Sequence, residues 1–158
     1  MFKLLQISRP RFWMYLIGPY LIGIGAAQEF NLAVIYNSDI WWWLLYFSFP
    51  ANLFIYGVND IADGDTDQHN DKKGTYEAKV ERSETRSIIF WIINSGILFL
   101  PIAFRASLRE QICLVIFIIF GLLYSLPPVR FKAIPFVDSI SNGVLYTMAG
   151  LMGYFAAG

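Results

Sequence analysis

Five apolar stretches, separated by polar or proline-containing segments, most restrict what this chain can fold into. They cover Phe12–Ala27, Ile40–Val58, Ser87–Phe104, Gln111–Leu126 and Phe136–Ala157. A helix that crosses the hydrocarbon core of a bilayer needs roughly 17–25 mostly apolar residues. We therefore expect an all-α membrane protein with about five transmembrane helices, forming a single domain over residues 1–158.

The composition agrees with a membrane location. Hydrophobic residues make up 56% of the 158 residues, charged residues 15%, and the formal net charge is zero. Soluble domains are about one quarter charged, and a neutral chain offers no general attraction for nucleic acid. A cleaved signal peptide is an alternative for the first stretch, because "MFKLLQISRPR" is basic and "GAAQ" resembles a cleavage site. The apolar stretches that follow favour a retained first helix.

The basic residues predict the orientation, because cytoplasmic loops of membrane proteins carry an excess of Lys and Arg. Only Arg105 and Arg109 fall on one side of the predicted membrane. The other side carries Lys3, Arg9, Arg11, Lys72, Lys73, Lys79, Arg82, Arg86, Arg130 and Lys132. We expect this basic side, with the N-terminus and the loops 60–86 and 127–135, in the cytoplasm, and the membrane to be a bacterial inner membrane.

An acidic motif, "NDIADGDTD", follows the second apolar stretch directly. If the helix continues at about 100° per residue, one face carries Asn59, Asp60, Asp63 and Asp67. Ligands that are all oxygen favour a hard cation, and Mg²⁺ typically completes its shell with substrate phosphates. Lys72 and Lys73 can neutralise a diphosphate there, or only contact anionic lipid headgroups. A solvated acidic loop that ends the helix is the alternative to a metal site.

A polar stripe continues this face into the membrane. Ser48, Asn52, Tyr56, Asn59 and Asp63 recur on one side of the predicted second helix. Polar groups at membrane depth normally face a bundle interior or a cavity. The stripe therefore predicts a cavity that reaches into the hydrocarbon, with the cation site at its mouth.

The second loop, "YSLPPVRFKAIPFVDSISN", supplies further candidates. Arg130 and Lys132 can hold phosphate oxygens, or serve only to set the topology. Asp138 and Asn142 are four residues apart at the start of the last apolar stretch, so they face one way. A salt bridge from Asp138 to either basic residue is the alternative to a role in the cavity. Tyr124 lies at the start of the loop and is a further candidate.

The quoted motifs resemble one known family. "NDIADGDTD" matches NDxxDxxxD, the first aspartate-rich motif of the UbiA superfamily of intramembrane prenyltransferases. "SRPRFWMYLIGPYLIG" is similar to that family's first helix, and the second loop to the one between its fourth and fifth helices. The resemblance covers essentially the whole chain. "PANLFIYGVND" and "YSLPPVRFK" look most like the carotenoid-prenylating branch typified by lycopene elongases.

The resemblance implies the first half of a nine-helix bundle that transfers a prenyl group from a prenyl diphosphate to a hydrophobic acceptor in the membrane. The acceptor would be a carotenoid such as lycopene, or a quinone precursor. Mg²⁺ would be held by the catalytic residues Asn59, Asp60, Asp63 and Asp67. Basic contacts to the diphosphate would come from Lys72, Lys73, Arg130 and Lys132. The remaining substrate-binding residues would be Asn52, Tyr56, Tyr124, Asp138 and Asn142.

The chain departs from the family pattern in two places. Pro128 occupies a position where many members carry Lys, and no second DxxxD motif follows within the 158 residues. We therefore expect an N-terminal portion that does not turn over substrate by itself. The alternative function is a non-catalytic membrane protein or subunit that binds cations or lipid through one aspartate cluster. A transporter with an acidic gate is disfavoured, because the aspartates lie at the membrane edge and not at its midplane.

Overall fold

The computed structural model describes residues 2–28, 34, 36–64 and 80–158. Most of the predicted loop 60–86 lies outside this part of the chain. The predicted ligand Asp67 and the predicted diphosphate contacts Lys72 and Lys73 belong to that loop and lie outside the described residues.

The described chain is helical and contains no strand, which confirms the predicted all-α class. Each predicted apolar stretch coincides with one or two helices. The helices are α1 Phe2–Ile7, α2 Met14–Gln28, α3 Ser38–Ala62, α4 Thr85–Ile97, α5 Leu100–Arg105, α6 Leu108–Ser125 and α7 Val137–Ala157. Short 3₁₀ turns lie at Pro10–Phe12, Arg82–Glu84 and Phe131–Ala133.

Two segments of the described chain, Arg82–Arg105 and Leu108–Ser125, are long and apolar enough to cross a membrane. Met14–Ala27 is apolar but shorter. The number of five crossing helices therefore stays a prediction.

We expect the third apolar stretch to form one continuous helix, but in the structure it does not. It is divided into α4, which ends at Ile97, and α5, which begins at Leu100. Pro101 has no backbone N–H to donate to the carbonyl group of Ile97, and its ring crowds that carbonyl group. The chain therefore makes a turn at Leu98–Phe99 before it resumes a helical course.

Close backbone contact joins α2 to α7. A Cβ atom added to Gly153 would lie 2.1 Å from the carbonyl oxygen of Tyr20, and one added to Gly23 would lie 1.9 Å from that of Gly150. Ala149 is fully buried in the same region. Gly153 and Ala149 thus form a face of small residues on α7 that packs against α2, because small residues let two backbones approach.

α3 is the helix that positions the site, because it packs against α1, α2, α4, α6 and α7. It begins after Asn37, whose side chain accepts a hydrogen bond from the backbone N–H of Asp39 at 3.0 Å. Satisfying such a terminal N–H stabilises the start of a helix. Trp43 and Phe47, both buried, anchor α3 in the core beside Phe117 of α6.

Candidate functional site

The acidic motif lies where α3 ends. Asn59 and Asp60 are in the last turn of the helix, and Asp63 is its C-cap, with its backbone N–H donating to the Asn59 carbonyl group. The helix therefore does not continue through the motif as assumed above. Gly64 instead donates to the Ile61 carbonyl group at 3.4 Å, which tightens the final turn and ends the helix.

Asp60 is buried and paired with an arginine from the N-terminal segment. Its side chain is 2% exposed, and its Oδ1 accepts a hydrogen bond from Arg9 Nη2 at 2.9 Å. The Arg9 guanidinium also lies over the Tyr56 ring, 4.8 Å from its centroid. A buried carboxylate needs such a partner, because removing its charge from water costs several kcal/mol.

Asp63 is held by the second loop. Arg130 donates to its Oδ1, and Lys132 Nζ donates to its Oδ2 at 2.5 Å. Lys132 also donates to the side-chain oxygen of Asn59 at 2.7 Å. The structure thus brings together four predicted site residues, two from each of two segments that are far apart in sequence.

Arg130 and Lys132, the two cations of the alternative salt bridge to Asp138, both bind Asp63. Asp138 Oδ1 accepts a hydrogen bond from Asn142 Nδ2 at 3.2 Å. The predicted common direction of Asp138 and Asn142 is therefore confirmed.

A cavity of about 250 Å³ lies beside these charges. Its wall contains Arg9, Phe12, Tyr15, Leu16, Asn52, Ile55, Tyr56, Asn59, Tyr124, Asn142, Leu145 and Tyr146. Arg9 and three asparagines supply polar groups, and five aromatic rings form much of the remaining wall. The cavity therefore adjoins the charged residues at the end of α3 and is lined largely by aromatic rings.

Three of the stripe residues, Asn52, Tyr56 and Asn59, line the cavity. Asn52 is buried and oriented by hydrogen bonds from its Nδ2 to the carbonyl groups of Phe47 and Ser48, at 2.8 and 2.6 Å. Ser48 is not among the lining residues, and its hydroxyl donates to the Leu45 carbonyl group of its own helix.

The wall residues that were not predicted from the sequence include Arg9, Phe12 and Tyr15, which belong to one short run of the chain. From the sequence, Arg9 is expected only to help set the orientation. The run "RPRFWMY" nevertheless holds a usable signal, since it places arginines and aromatic rings directly before an apolar helix. Rings at that position commonly lie at a membrane interface, where a site that accepts both a charged and an apolar group would form.

The donor atoms suit Mg²⁺. The described residues contain no group of three or more His, Cys, Asp or Glu side chains that could hold a metal ion. They do offer the carboxylates of Asp60 and Asp63 and the amide oxygen of Asn59, all within one helical turn and cap. Mg²⁺ commonly takes one or two carboxylates and completes its shell with water and phosphate oxygens, so this partial donor set fits it.

Comparison with known proteins identifies a family and several relatives whose names agree with one another. The model of the UbiA prenyltransferase family matches residues 13–158. The chain is 40% identical over 153 residues to a lycopene elongase/hydratase of Haloarcula japonica, covering 97% of this chain and 51% of that protein. It is 30% identical over 157 residues to a lycopene elongase/hydratase of Corynebacterium glutamicum, with 95% and 51% covered.

A protein of a Dietzia species, named C(50) beta-cyclic carotenoids biosynthesis protein, is 27% identical over 154 residues, with 96% of this chain and 34% of that protein covered. The chain thus spans about half the length, or less, of these relatives. No solved structure matches it. Because the family model matches nearly the whole sequence, the chain belongs to the UbiA prenyltransferase family.

Proposed function

We propose that this chain takes part in the Mg²⁺-dependent transfer of a prenyl group from a prenyl diphosphate to a carotenoid in the membrane. Family membership supports the reaction class. The names of the relatives, lycopene elongase/hydratase, support lycopene or a similar polyene as the acceptor over a quinone precursor. Two apolar segments and the membrane character of the family support an integral membrane location. The excess of Lys and Arg on one side of the predicted membrane supports a cytoplasmic position for the acidic end of α3.

The observation that carries the proposal is the charged mouth of an aromatic cavity. Asn59 joins the two, because it lines the cavity and also accepts a hydrogen bond from Lys132. A prenyl diphosphate has two parts of the same characters, a highly charged head and an apolar tail. A site with both characters side by side suits this class of substrate.

Asn59, Asp60 and Asp63 would hold Mg²⁺, together with Asp67 outside the described residues. The ion would neutralise charge on the diphosphate as the bond to the allylic carbon breaks. Arg130 and Lys132 contribute to the same stabilisation. In the structure they neutralise Asp63. With a diphosphate present, the same N–H groups donate to its oxygens, and Lys72 and Lys73 add further positive charge.

The aromatic wall has a second role. Loss of diphosphate leaves an allylic cation, which the ring faces of Tyr56, Tyr124 and Tyr146 stabilise by cation–π contact. The same rings keep bulk water away from the cation until the acceptor arrives. The acceptor's double bond then attacks the allylic carbon, and the positive charge moves to the acceptor. Loss of a proton, or addition of water as the word hydratase in the relatives' names indicates, completes the reaction.

The test is a transfer assay on the complete protein in membrane vesicles, with labelled dimethylallyl diphosphate and lycopene. We expect labelled, prenylated carotenoid with Mg²⁺ and none when EDTA removes it. Mg²⁺ binding that is unaffected by prenyl diphosphate, without any transfer, would contradict the proposal. It would favour instead the alternative of a cation- or lipid-binding subunit.

A further inference from the structure

A hydrogen-bonded triad connects α6 to the start of α7. Asn142 Nδ2 donates to the hydroxyl oxygen of Tyr124 at 3.4 Å and to Asp138 Oδ1 at 3.2 Å. Asn142 thus holds the Tyr124 hydroxyl oxygen and the Asp138 carboxylate next to each other, as acceptors of one side-chain nitrogen. A tyrosine hydroxyl has one proton to donate. With Asn142 acting as a donor to its oxygen, that proton is left for another acceptor, and the Asp138 carboxylate shares the same donor.

The triad has an inner and an outer side. Tyr124 and Asn142 belong to the cavity wall, whereas Asp138 is half-buried and is not among the lining residues. The tyrosine oxygen is therefore the member that a reactant in the cavity would meet. The carboxylate behind it is the member that can keep a proton.

We propose that Tyr124 accepts the proton released at the end of the reaction and passes its own hydroxyl proton to Asp138, while Asn142 positions both groups. This inference rests on the proposed function. A neutral hydroxyl is a weak base by itself. It can accept a proton more readily when its own proton passes to a carboxylate at the same time. A positioned acid–base group of this kind typically accelerates a proton transfer by about 10²–10⁴-fold.

Once the new carbon–carbon bond has formed, the acceptor carries the positive charge. In one outcome a neighbouring C–H bond breaks, its electron pair forms a C=C bond, and the proton goes to the Tyr124 oxygen. In the other, a water oxygen bonds to the cationic carbon and one water O–H proton goes to the Tyr124 oxygen. Either way the hydroxyl proton moves to Asp138, and it leaves later to water or to the released diphosphate.

Tyr56, another tyrosine of the wall, is less suited to this role. The Arg9 guanidinium lies 4.8 Å from its ring centroid, and a positive charge so close disfavours the gain of a proton. Tyr124 differs because its hydroxyl shares the donor Asn142 with a carboxylate, that of Asp138. Of the two tyrosines, Tyr124 is therefore the better candidate to receive the proton.

The experiment separates breakage of the bond between the allylic carbon and the diphosphate from completion of the product. The complete protein in vesicles receives dimethylallyl diphosphate with ¹⁸O in the bridging position, and lycopene. Movement of the label to a non-bridging position reports breakage and re-formation of the allylic bond, and mass spectrometry of the carotenoids reports completed product. Tyr124→Phe keeps the ring and removes the oxygen. We expect label movement within about twofold of wild type and a fall of about 100-fold in completed product.

Asp138→Asn provides a second, independent variant that retains the hydrogen-bonding shape, and we expect the same division of effects. Asp138→Glu should recover part of the product. Tyr154→Phe is the matched control, on the exposed side of α7 and away from this cavity; both readouts should equal those of wild type.

Completed product at the wild-type rate in Tyr124→Phe would overturn the inference. So would the loss of label movement together with product, because Tyr124 would then be needed before the proton is released. Absence of both label movement and product in the wild-type protein would overturn the proposed function itself. The wild-type result therefore tells the two failures apart.

Discussion

The Arg9 guanidinium and the Asp60 carboxylate form an ion pair of 2.9 Å that joins the segment before α2 to the last turn of α3. Asp60 is 2% exposed and Arg9 13%, so the pair lies almost entirely out of water. The pair fixes one carboxylate of the acidic motif and one wall of the cavity at the same time.

Removal of the arginine should therefore destabilise the protein. We expect Arg9→Gln to lower the free energy of unfolding by about 3 kcal/mol, because breaking a buried pair leaves the other charge poorly compensated. Thermal unfolding in detergent is the measurement. The control is Arg11→Gln, an exposed arginine two residues away, with an expected change below about 0.5 kcal/mol.

A double variant sharpens this prediction. Arg9→Gln combined with Asp60→Asn removes both charges, so it should be more stable than Arg9→Gln alone. A double variant whose loss equals the sum of the two single losses would show that the two side chains do not interact.

The contact of α2 with α7 depends on the absence of a side chain at Gly153. Gly153→Ala places a Cβ atom 2.1 Å from the Tyr20 carbonyl oxygen, a backbone atom that cannot move alone. The two helices must separate, and we expect a loss of about 1–3 kcal/mol in stability.

Gly143→Ala on the same helix is the matched control, because nothing lies within 4 Å of the added atom. It should leave stability unchanged or raise it by up to about 1 kcal/mol through helix propensity. Equal melting temperatures for the two alanine variants would contradict the close contact.

Lys132 has two different expected effects on ligand binding, depending on the ligand. Without diphosphate it neutralises Asp63, so Lys132→Gln should bind Mg²⁺ alone as well as wild type, or better. With diphosphate it donates to the ligand. Loss of that charge-assisted hydrogen bond should then weaken binding by about 1.5 kcal/mol, roughly tenfold.

Titration calorimetry with Mg²⁺ and with magnesium diphosphate measures both effects. Arg109→Gln is the control, since Arg109 is exposed at the opposite end of α6 and its cation lies over Phe155. Equal losses for both ligands in Lys132→Gln would argue against a direct contact with diphosphate.

The sequence allowed the helices and the polar side of α3 to be predicted, because both depend on local periodicity. Asn52, Tyr56 and Asn59 share a side of one helix whatever packs against it. The direction shared by Asp138 and Asn142 follows from the same spacing. Family motifs then identified the end of α3 as the acidic site, in agreement with the family assignment.

Contacts between distant segments could not be predicted in the same way. Arg9 reaches Asp60 across 51 positions, and Lys132 reaches Asp63 across 69. Such pairs depend on how the helices pack and not on local pattern. The end of α3 at Ala62 was missed for a related reason: a helical wheel assumes continuity and does not anticipate the tight turn at Gly64.

The central claim is that the carboxylates at the end of α3 act on a diphosphate, and Asp63→Asn tests it most directly. The measurement is release of diphosphate from dimethylallyl diphosphate by the complete protein in vesicles with Mg²⁺ and lycopene. The control is Asp39→Asn at the other end of the same helix, where the carboxylate is 40% exposed. We expect a loss of at least about 100-fold in Asp63→Asn, comparable to the removal of one electrostatic stabiliser of a transition state. Asp39→Asn should release diphosphate like wild type, and equal rates in Asp63→Asn and wild type would contradict the account.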